Sequence, residues 1–231
     1  MEMKKDSMTY PDDYINKVIC GDCLEVMQGI PDNSVSAVIT DPPWNVGKDY
    51  GNESDKQEEK QYLEWIYRVQ KEARRTVKDD GLSLRFFPIK YFPLINNQFK
   101  NWGYLWTACW VASNRRARSL IGYNLWQPIL IYGNKRWLKN QDVYFYPTGQ
   151  EFFNHPTPKP EKLMVKLVGD FSKKEDIILD PFLGSGTTAV ACKRLDRRFI
   201  GAEINPEYCK IAEKRLANTL YNEELDLKGG G

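Results

Sequence analysis

Asp176-Ile177-Ile178-Leu179-Asp180-Pro181-Phe182-Leu183-Gly184-Ser185-Gly186-Thr187-Thr188 decides the architecture. Its first five residues are a short apolar run with the length and β-branching of a buried strand. Pro181 to Thr188 turn out of that strand, and Ala189 to Leu195 continue as a helix. Glycines at 184 and 186 let backbone approach a ligand closely, and the new helix offers free N–H groups and a positive dipole end to an anion. A further strand, Arg198-Phe199-Ile200-Gly201-Ala202, ends in Glu203, 17 residues past Gly186. That is close to the roughly 20-residue spacing at which an acidic side chain meets ribose hydroxyls. Strand, glycine turn, helix, strand and terminal acid in register predict a nucleoside-cofactor site in an α/β domain. The Gly-x-Gly-x-x-Gly series is not completed, because position 189 is Ala, and no Gly-x-x-x-x-Gly-Lys-Ser/Thr occurs. Dinucleotide and triphosphate sites are therefore disfavoured.

Asp41-Pro42-Pro43-Trp44 is the second decisive stretch. It follows Val35-Ser36-Ala37-Val38-Ile39-Thr40, another apolar run of strand length, so the carboxylate falls at a strand end, where α/β sheets place their chemistry. Two consecutive prolines have no N–H and leave their carbonyls available as acceptors. Carboxylate, free carbonyl and flat ring together suit a planar base with an exocyclic amine: its protons go to Asp41 and the Pro42 carbonyl, and Trp44 stacks on it. Taken alone, the four residues also fit a proline-rich turn capped by an aspartate.

The rest of the chain alternates in the same manner. Strands are expected at about 15–21, 35–40, 82–87, 103–112 and 128–133, and helices at about 57–77 and 91–101. The first helix carries Leu63, Ile66, Tyr67, Ala73 and Val77 near a 3.6 period, with its end marked by Asp79-Asp80-Gly81. A helix from near Pro160 leads into the strand–helix–strand–helix that ends at about Tyr221. Alternating elements imply a mostly parallel sheet covered on both faces, with the two strands before residue 134 able to pair antiparallel. Residues 113–127 and 134–153 read as irregular. Residues 45–60 are polar and contain glycine; a lid over a bound base and an inert surface loop both fit them.

At 231 residues the chain suffices for one α/β domain. Hydrophobic content of 42% and charged content of 28% match a soluble globular chain. The net charge of +2 decides nothing about nucleic acid, but Arg115, Arg116 and Arg118 cluster, as do Lys135, Arg136 and Lys139, near Trp126 and Trp137. Basic side chains among aromatics suit phosphate contact and base stacking; a solvated face is the plainer alternative. No apolar stretch nears the roughly 20 residues that span a membrane, and the N-terminus is polar. Five cysteines, an odd number without framework spacing, point to a reducing compartment. Cys20-Gly21-Asp22-Cys23 lacks partners for zinc, His155 being the only histidine, so no metal is expected. Lys228 to Gly231 read as a flexible tail.

Asp41-Pro42-Pro43-Trp44 and Asp180 to Thr187 resemble the catalytic and cofactor motifs of the beta-class amino-group DNA methyltransferases. These enzymes use S-adenosylmethionine to methylate the exocyclic amine of adenine or cytosine. Val18-Ile19-Cys20-Gly21-Asp22-Cys23-Leu24-Glu25 resembles that family's N-terminal cofactor loop, and Asn154-His155-Pro156-Thr157-Pro158-Lys159-Pro160 the segment before its cofactor strand. The resemblance, carried by these four motifs in this order, covers about residues 14 to 218. The resemblance implies the Rossmann-like fold of S-adenosylmethionine-dependent methyltransferases, with a seven-stranded-type sheet, an antiparallel edge and a circularly permuted motif order. It implies one domain over residues 1–231, with a small target-recognition insertion at about 113–153.

Carried over residue by residue, the resemblance gives catalysis to Asp41, Pro42, Pro43 and Trp44. Gly184, Ser185, Gly186 and Thr187 would line the methionine portion of the cofactor, Glu203 the ribose, and Asp22 with Cys23 the adenine ring. Asp41, Asp180 and Phe182 border the cofactor, and His155, Thr157 and Lys159 lie in the segment that closes on the methionine carboxylate. Arg115, Arg116, Arg118, Lys135 and Arg136 are the candidate DNA contacts. Trp44 stands where tyrosine is more frequent. Aspartate at 41, where cytosine enzymes more often carry serine, tilts the expectation to N6 of adenine in DNA after base flipping. N4 of cytosine, adenine in RNA and a non-catalytic nucleic-acid-binding subunit are the alternatives; the glycine turn argues against RNA, and the intact motifs argue against a degenerate subunit. A prokaryotic or phage-encoded cytoplasmic protein is expected, with a second copy and a cognate restriction endonuclease as partners to look for.

Overall fold

The computed structural model describes residues 8–47, 56–92, 94, 103–112, 114, 117–119, 122–134, 141–148 and 158–221. The chain runs through β1 (Lys17–Cys20), α1 (Cys23–Gln28), β2 (Val35–Thr40), α2 (Glu59–Thr76) and β3 (Val77–Phe86). β4 (Tyr104–Val111), β5 (Ala117–Ser119), β6 (Gly122–Asn124), β7 (Trp126–Gly133) and β8 (Val143–Phe145) follow. The last part is α3 (Glu161–Phe171), β9 (Ile177–Asp180), α4 (Thr187–Arg194), β10 (Arg198–Glu203) and α5 (Pro206–Ala217).

Eight strands form one sheet in the order β1-β10-β9-β2-β3-β7-β4-β8, while β5 and β6 make a separate hairpin. β1, β10, β9, β2 and β3 are parallel; β7 runs antiparallel to β3 and β4, and β8 lies parallel to β4. The expected mostly parallel sheet with antiparallel pairing toward one edge is what forms. β2 and β9 are buried nearly throughout, as strands covered on both faces must be. On one face Met27 of α1 and Val69 and Ala73 of α2 pack with Val38 and Ile200. On the other, Leu163 and Leu167 of α3 and Ala189 of α4 pack with Ile39 and Leu84.

α2 buries Tyr62, Leu63, Ile66, Val69, Gln70, Ala73 and Thr76, the three- and four-residue steps of one helical face. Tyr67, expected on that stripe, is 38% exposed, and Tyr62 takes its place inside. The helix ends at Thr76, short of Asp79-Asp80-Gly81, because Val77 is buried and pairs with Val35. The ladder then shifts register before Ala37 meets Leu82, which puts the acidic pair in a bulge. Of the helix expected at 91–101, the structure describes only the start: Ile89–Tyr91 form a 3₁₀ turn, and Phe92 and Leu94 are helical.

The stretches read as irregular contain the β5–β6 hairpin and β8. β7, within the 113–153 stretch, is a full member of the main sheet between β3 and β4.

The pairing that matters for function joins strands about 140 residues apart. Val38 of β2 lies opposite Leu179 of β9. From β2 the sheet proceeds to β3 on one side, and from β9 to β10 on the other. The crevice beyond their carboxyl ends is therefore a topological switch point, the place where open α/β sheets bind ligands.

Candidate active site

A cavity of about 480 Å³ opens at that switch point, within the range of small-molecule sites. Asp22, Cys23, Asp41, Pro43, Lys159, Asp180, Phe182, Gly184, Ser185, Thr187 and Glu203 all line it. Pro42 is buried, Trp44 donates to Asp41, and Gly186 caps α4, but none of the three lines the cavity. His155, Thr157, Arg115, Arg116, Lys135 and Arg136 lie outside the described residues, and Arg118 is described only as backbone in β5.

Asp180 ends β9 and ties the site together. Its carboxylate accepts from Thr40 Oγ1 at 2.7 Å, from Thr188 Oγ1 at 2.6 Å and from the Phe182 amide at 3.1 Å. Three donors from β2, the turn and α4 converge on a side chain that is fully buried. Burial pushes its carboxyl up to about 6, the three hydrogen bonds offsetting part of the desolvation. The turn beyond it passes through Gly184 at φ 55° and Gly186 at φ 86°. A Cβ at Gly186 would lie 2.7 Å from the Ala212 Cβ, so α5 packs against the turn only because that residue is glycine. Arg215 of α5 donates to the Ser185 carbonyl at 2.8 Å and to Thr187 Oγ1 at 3.1 Å, fixing the turn from outside.

Glu203 ends β10, 9% exposed. Its two oxygens accept from the Gly184 and Asn205 amides, each at 2.8 Å. Burial raises its pKa and these backbone bonds offset part of that. Asp22 caps α1, accepting from the Leu24 amide at 2.8 Å. Beside it, burial pushes the Cys23 thiol up to about 12, so it is a neutral wall of the cavity. Acidic side chains at two strand ends, apolar surface from Phe182 and Cys23, and a glycine turn opening α4 fit ribose hydroxyls, a purine ring and a methionine tail respectively.

Asp41 follows β2. Oδ1 accepts from the Trp44 indole N–H at 3.0 Å, and Oδ2 forms a close ion pair with Lys159. The Lys159 ammonium lies 4.7 Å from the Phe86 ring centroid, 5.5 Å from that of Trp44 and 5.9 Å from that of Trp110. Trp44 is thus engaged edge-on with the carboxylate, and Lys159 stands at the end of β2 and lines the same cavity as the glycine turn.

α2 contributes cavity residues that the sequence reading did not single out. Tyr62 donates to the Pro43 carbonyl at 2.9 Å, and Trp65 packs edge-on against Phe182 at 5.5 Å. The aromatic content of that helix face was the available signal. Asn45, at φ 53°, accepts from the Gln57 amide at 2.7 Å and donates to the Tyr91 hydroxyl at 2.9 Å. The two ends of the 45–60 stretch are therefore tied at their base; residues 48–55 lie outside the described residues. Among the described residues no three His, Cys, Asp or Glu side chains group as a metal site, and no helix is long and apolar enough to cross a membrane.

Solved structures place this fold among the S-adenosylmethionine-dependent methyltransferases. The M1.HpyAVI–SAM complex superposes at TM-score 0.66, with 30% identity, 87% of this chain and 98% of that chain covered. The PvuII DNA methyltransferase (cytosine-N4-specific) superposes at TM-score 0.73 over 94% of this chain and 93% of its own; at 18% identity this likeness is one of fold. The DNA methylase family matches residues 35–143 and 120–214, and the chain belongs to that family of amino-group DNA methyltransferases. The DNA adenine methyltransferase YhdJ of Escherichia coli (strain K12) is 29% identical over 258 residues, covering 90% of this chain and 85% of its own length. S-adenosylmethionine is accordingly the cofactor and DNA the substrate.

Proposed function

We propose that the chain methylates the N6 amine of adenine in DNA, with Asp41 as the group that addresses the amine. The observation that carries this reading is the adjacency of β2 and β9, which sets Asp41 and the cofactor turn around one cavity. The choice of adenine rests on Asp41 itself and on the likeness to an adenine enzyme.

Within the site, Gly184, Ser185 and Thr187 hold the methionine portion, Glu203 the ribose, and Asp22 with Cys23 and Phe182 the adenine ring. The cofactor supplies a methyl group already activated by its sulfonium. The target nitrogen is a poor nucleophile because its lone pair is delocalised into the ring. Asp41 and the Pro42 carbonyl accept hydrogen bonds from its two N–H groups and favour a pyramidal nitrogen with its lone pair restored. Asp41 would stabilise the positive charge that develops on nitrogen as it takes the methyl group from the sulfonium; S-adenosylhomocysteine would leave as the neutral thioether and one amino proton would then pass to solvent. The indole N–H of Trp44 holds the carboxylate in place for this, while its ring face offers the base a stacking surface. Duplex DNA has to present the base flipped. Arg115, Arg116, Arg118, Lys135 and Arg136 contact the phosphates.

Incubation with labelled S-adenosylmethionine and duplex DNA, followed by digestion to nucleosides, tests the choice of base. The label is expected in N6-methyldeoxyadenosine. Label in N4-methyldeoxycytidine would reverse the choice of base and leave the site assignment standing.

A further inference from the structure

We propose that Lys159 is a positioning residue shared between two carboxylates, and that it passes from Asp41 to the methionine carboxylate of the cofactor, unmasking Asp41 for the target amine. The inference rests on the reading of Asp41 as acceptor for that amine.

Both oxygens of Asp41 have partners, Trp44 on Oδ1 and Lys159 on Oδ2. The Trp44 bond is compatible with a role in orienting the carboxylate. The Lys159 pair is different, because an ammonium on Oδ2 competes for the acceptor that an incoming amine needs. It also cancels the negative charge that would stabilise developing positive charge. Lys159 therefore has to yield. Its side chain is only 10% exposed, and an ammonium in such a place requires another anion rather than none.

The other carboxylates on the cavity wall are already committed. Asp180 is held by Thr40, Thr188 and the Phe182 amide, Glu203 by two backbone amides, and Asp22 caps α1. The anion that enters this cavity with the cofactor is its methionine carboxylate, at the glycine turn whose residues share the lining with Lys159. Pro158 and Pro160 on either side restrict the backbone, so the exchange falls to the four-carbon stem. The rings of Phe86, Trp44 and Trp110 lie within 4.7 to 5.9 Å of the ammonium where it pairs with Asp41. Cofactor binding and access of the amine to Asp41 are then positively coupled by one cation.

Calorimetry with two probes tests this without turnover: S-adenosylhomocysteine, which has the carboxylate, and 5′-methylthioadenosine, which lacks the whole amino-acid tail. Lys159→Met is expected to weaken S-adenosylhomocysteine by about tenfold or more and Lys159→Arg to restore most of it, with methylthioadenosine unchanged in both. Asp41→Asn is expected to tighten S-adenosylhomocysteine by roughly three- to tenfold, because Lys159 no longer has a competing partner. In the Lys159→Met background the same Asp41→Asn change is expected to do nothing, which separates competition for Lys159 from simple removal of a negative charge. Unchanged methylthioadenosine affinity certifies that each variant retains the nucleoside site. Loss of both probes together in Lys159→Met, or the same gain from Asp41→Asn with and without Lys159, would overturn the proposal. Failure of the wild-type protein to bind S-adenosylhomocysteine would overturn the cofactor-site assignment and this inference with it.

Discussion

The proposed function gives the Trp44 side chain two tasks that substitution can separate. The indole N–H donates to Asp41 at 3.0 Å, and the ring packs on the core with the Lys159 ammonium 5.5 Å from its centroid; the proposed function adds stacking on the target base. Trp44→Phe keeps a face and loses the donor, at a cost of about 1.5–3 kcal/mol for a hydrogen bond to a charged group. Turnover is expected to fall by roughly ten- to a hundredfold, with S-adenosylhomocysteine affinity nearly unchanged. Trp44→Ala also loses stacking worth about 1–3 kcal/mol and is expected to fall further. Steady-state rates on DNA check both; a Phe variant as fast as wild type would remove the hydrogen bond from the mechanism. The proximity of a tryptophan ring to Asp41 was legible in the tetrapeptide. The direction of its N–H, and the presence of Lys159 118 residues further on, required the fold, since neither leaves a mark in local spacing.

At the scale of elements, Asp180 fastens β2, the glycine turn and α4, and its burial gives a pH signature. Its folded-state value of about 6 lies above the ordinary 3.8. The native protein therefore holds this proton over a window where the unfolded chain has released it. The contribution to stability is fully present below about pH 4 and is lost as pH rises through about 6. A displacement of about two pH units corresponds to about 3 kcal/mol. Asp180→Asn is expected to gain stability relative to wild type by that order between pH 4 and pH 7, then run parallel to it. Urea unfolding at each pH measures this, and a constant difference across the range would refute the raised carboxyl. The strand–turn–helix around Asp180 was readable because every local signal agreed: apolar run, proline, glycines, helix. β5, β6 and β8 were not, because three-residue strands leave no periodicity, and the end of α2 was misplaced because the Val35–Val77 pairing outweighs the turn residues at 79–81.

For the molecule as a whole, a net charge of +2 gives little general attraction to DNA, so binding depends on where the basic residues gather. Replacing Arg115 and Arg116 together by alanine is expected to flatten the logarithmic salt dependence of DNA affinity by about one to two. Cofactor affinity should not move. An unchanged slope, read by fluorescence anisotropy across salt concentrations, would put the phosphate contacts on other residues. The sheet topology was foreseeable from the alternation of elements. The cavity was foreseeable only in part: Lys159 was expected in it, but the walls that Tyr62 and Trp65 supply come from packing between distant segments. In the proposed function this topology brings the Asp41 carboxylate, as the catalytic group, to a cofactor site built elsewhere in the chain. Single-turnover methylation by Asp41→Ala, set against its affinity for S-adenosylhomocysteine, tests it most directly. Methyl transfer is expected to fall by at least about a hundredfold, with affinity equal to wild type or tighter. Near-normal transfer, or transfer and affinity lost together, would contradict it.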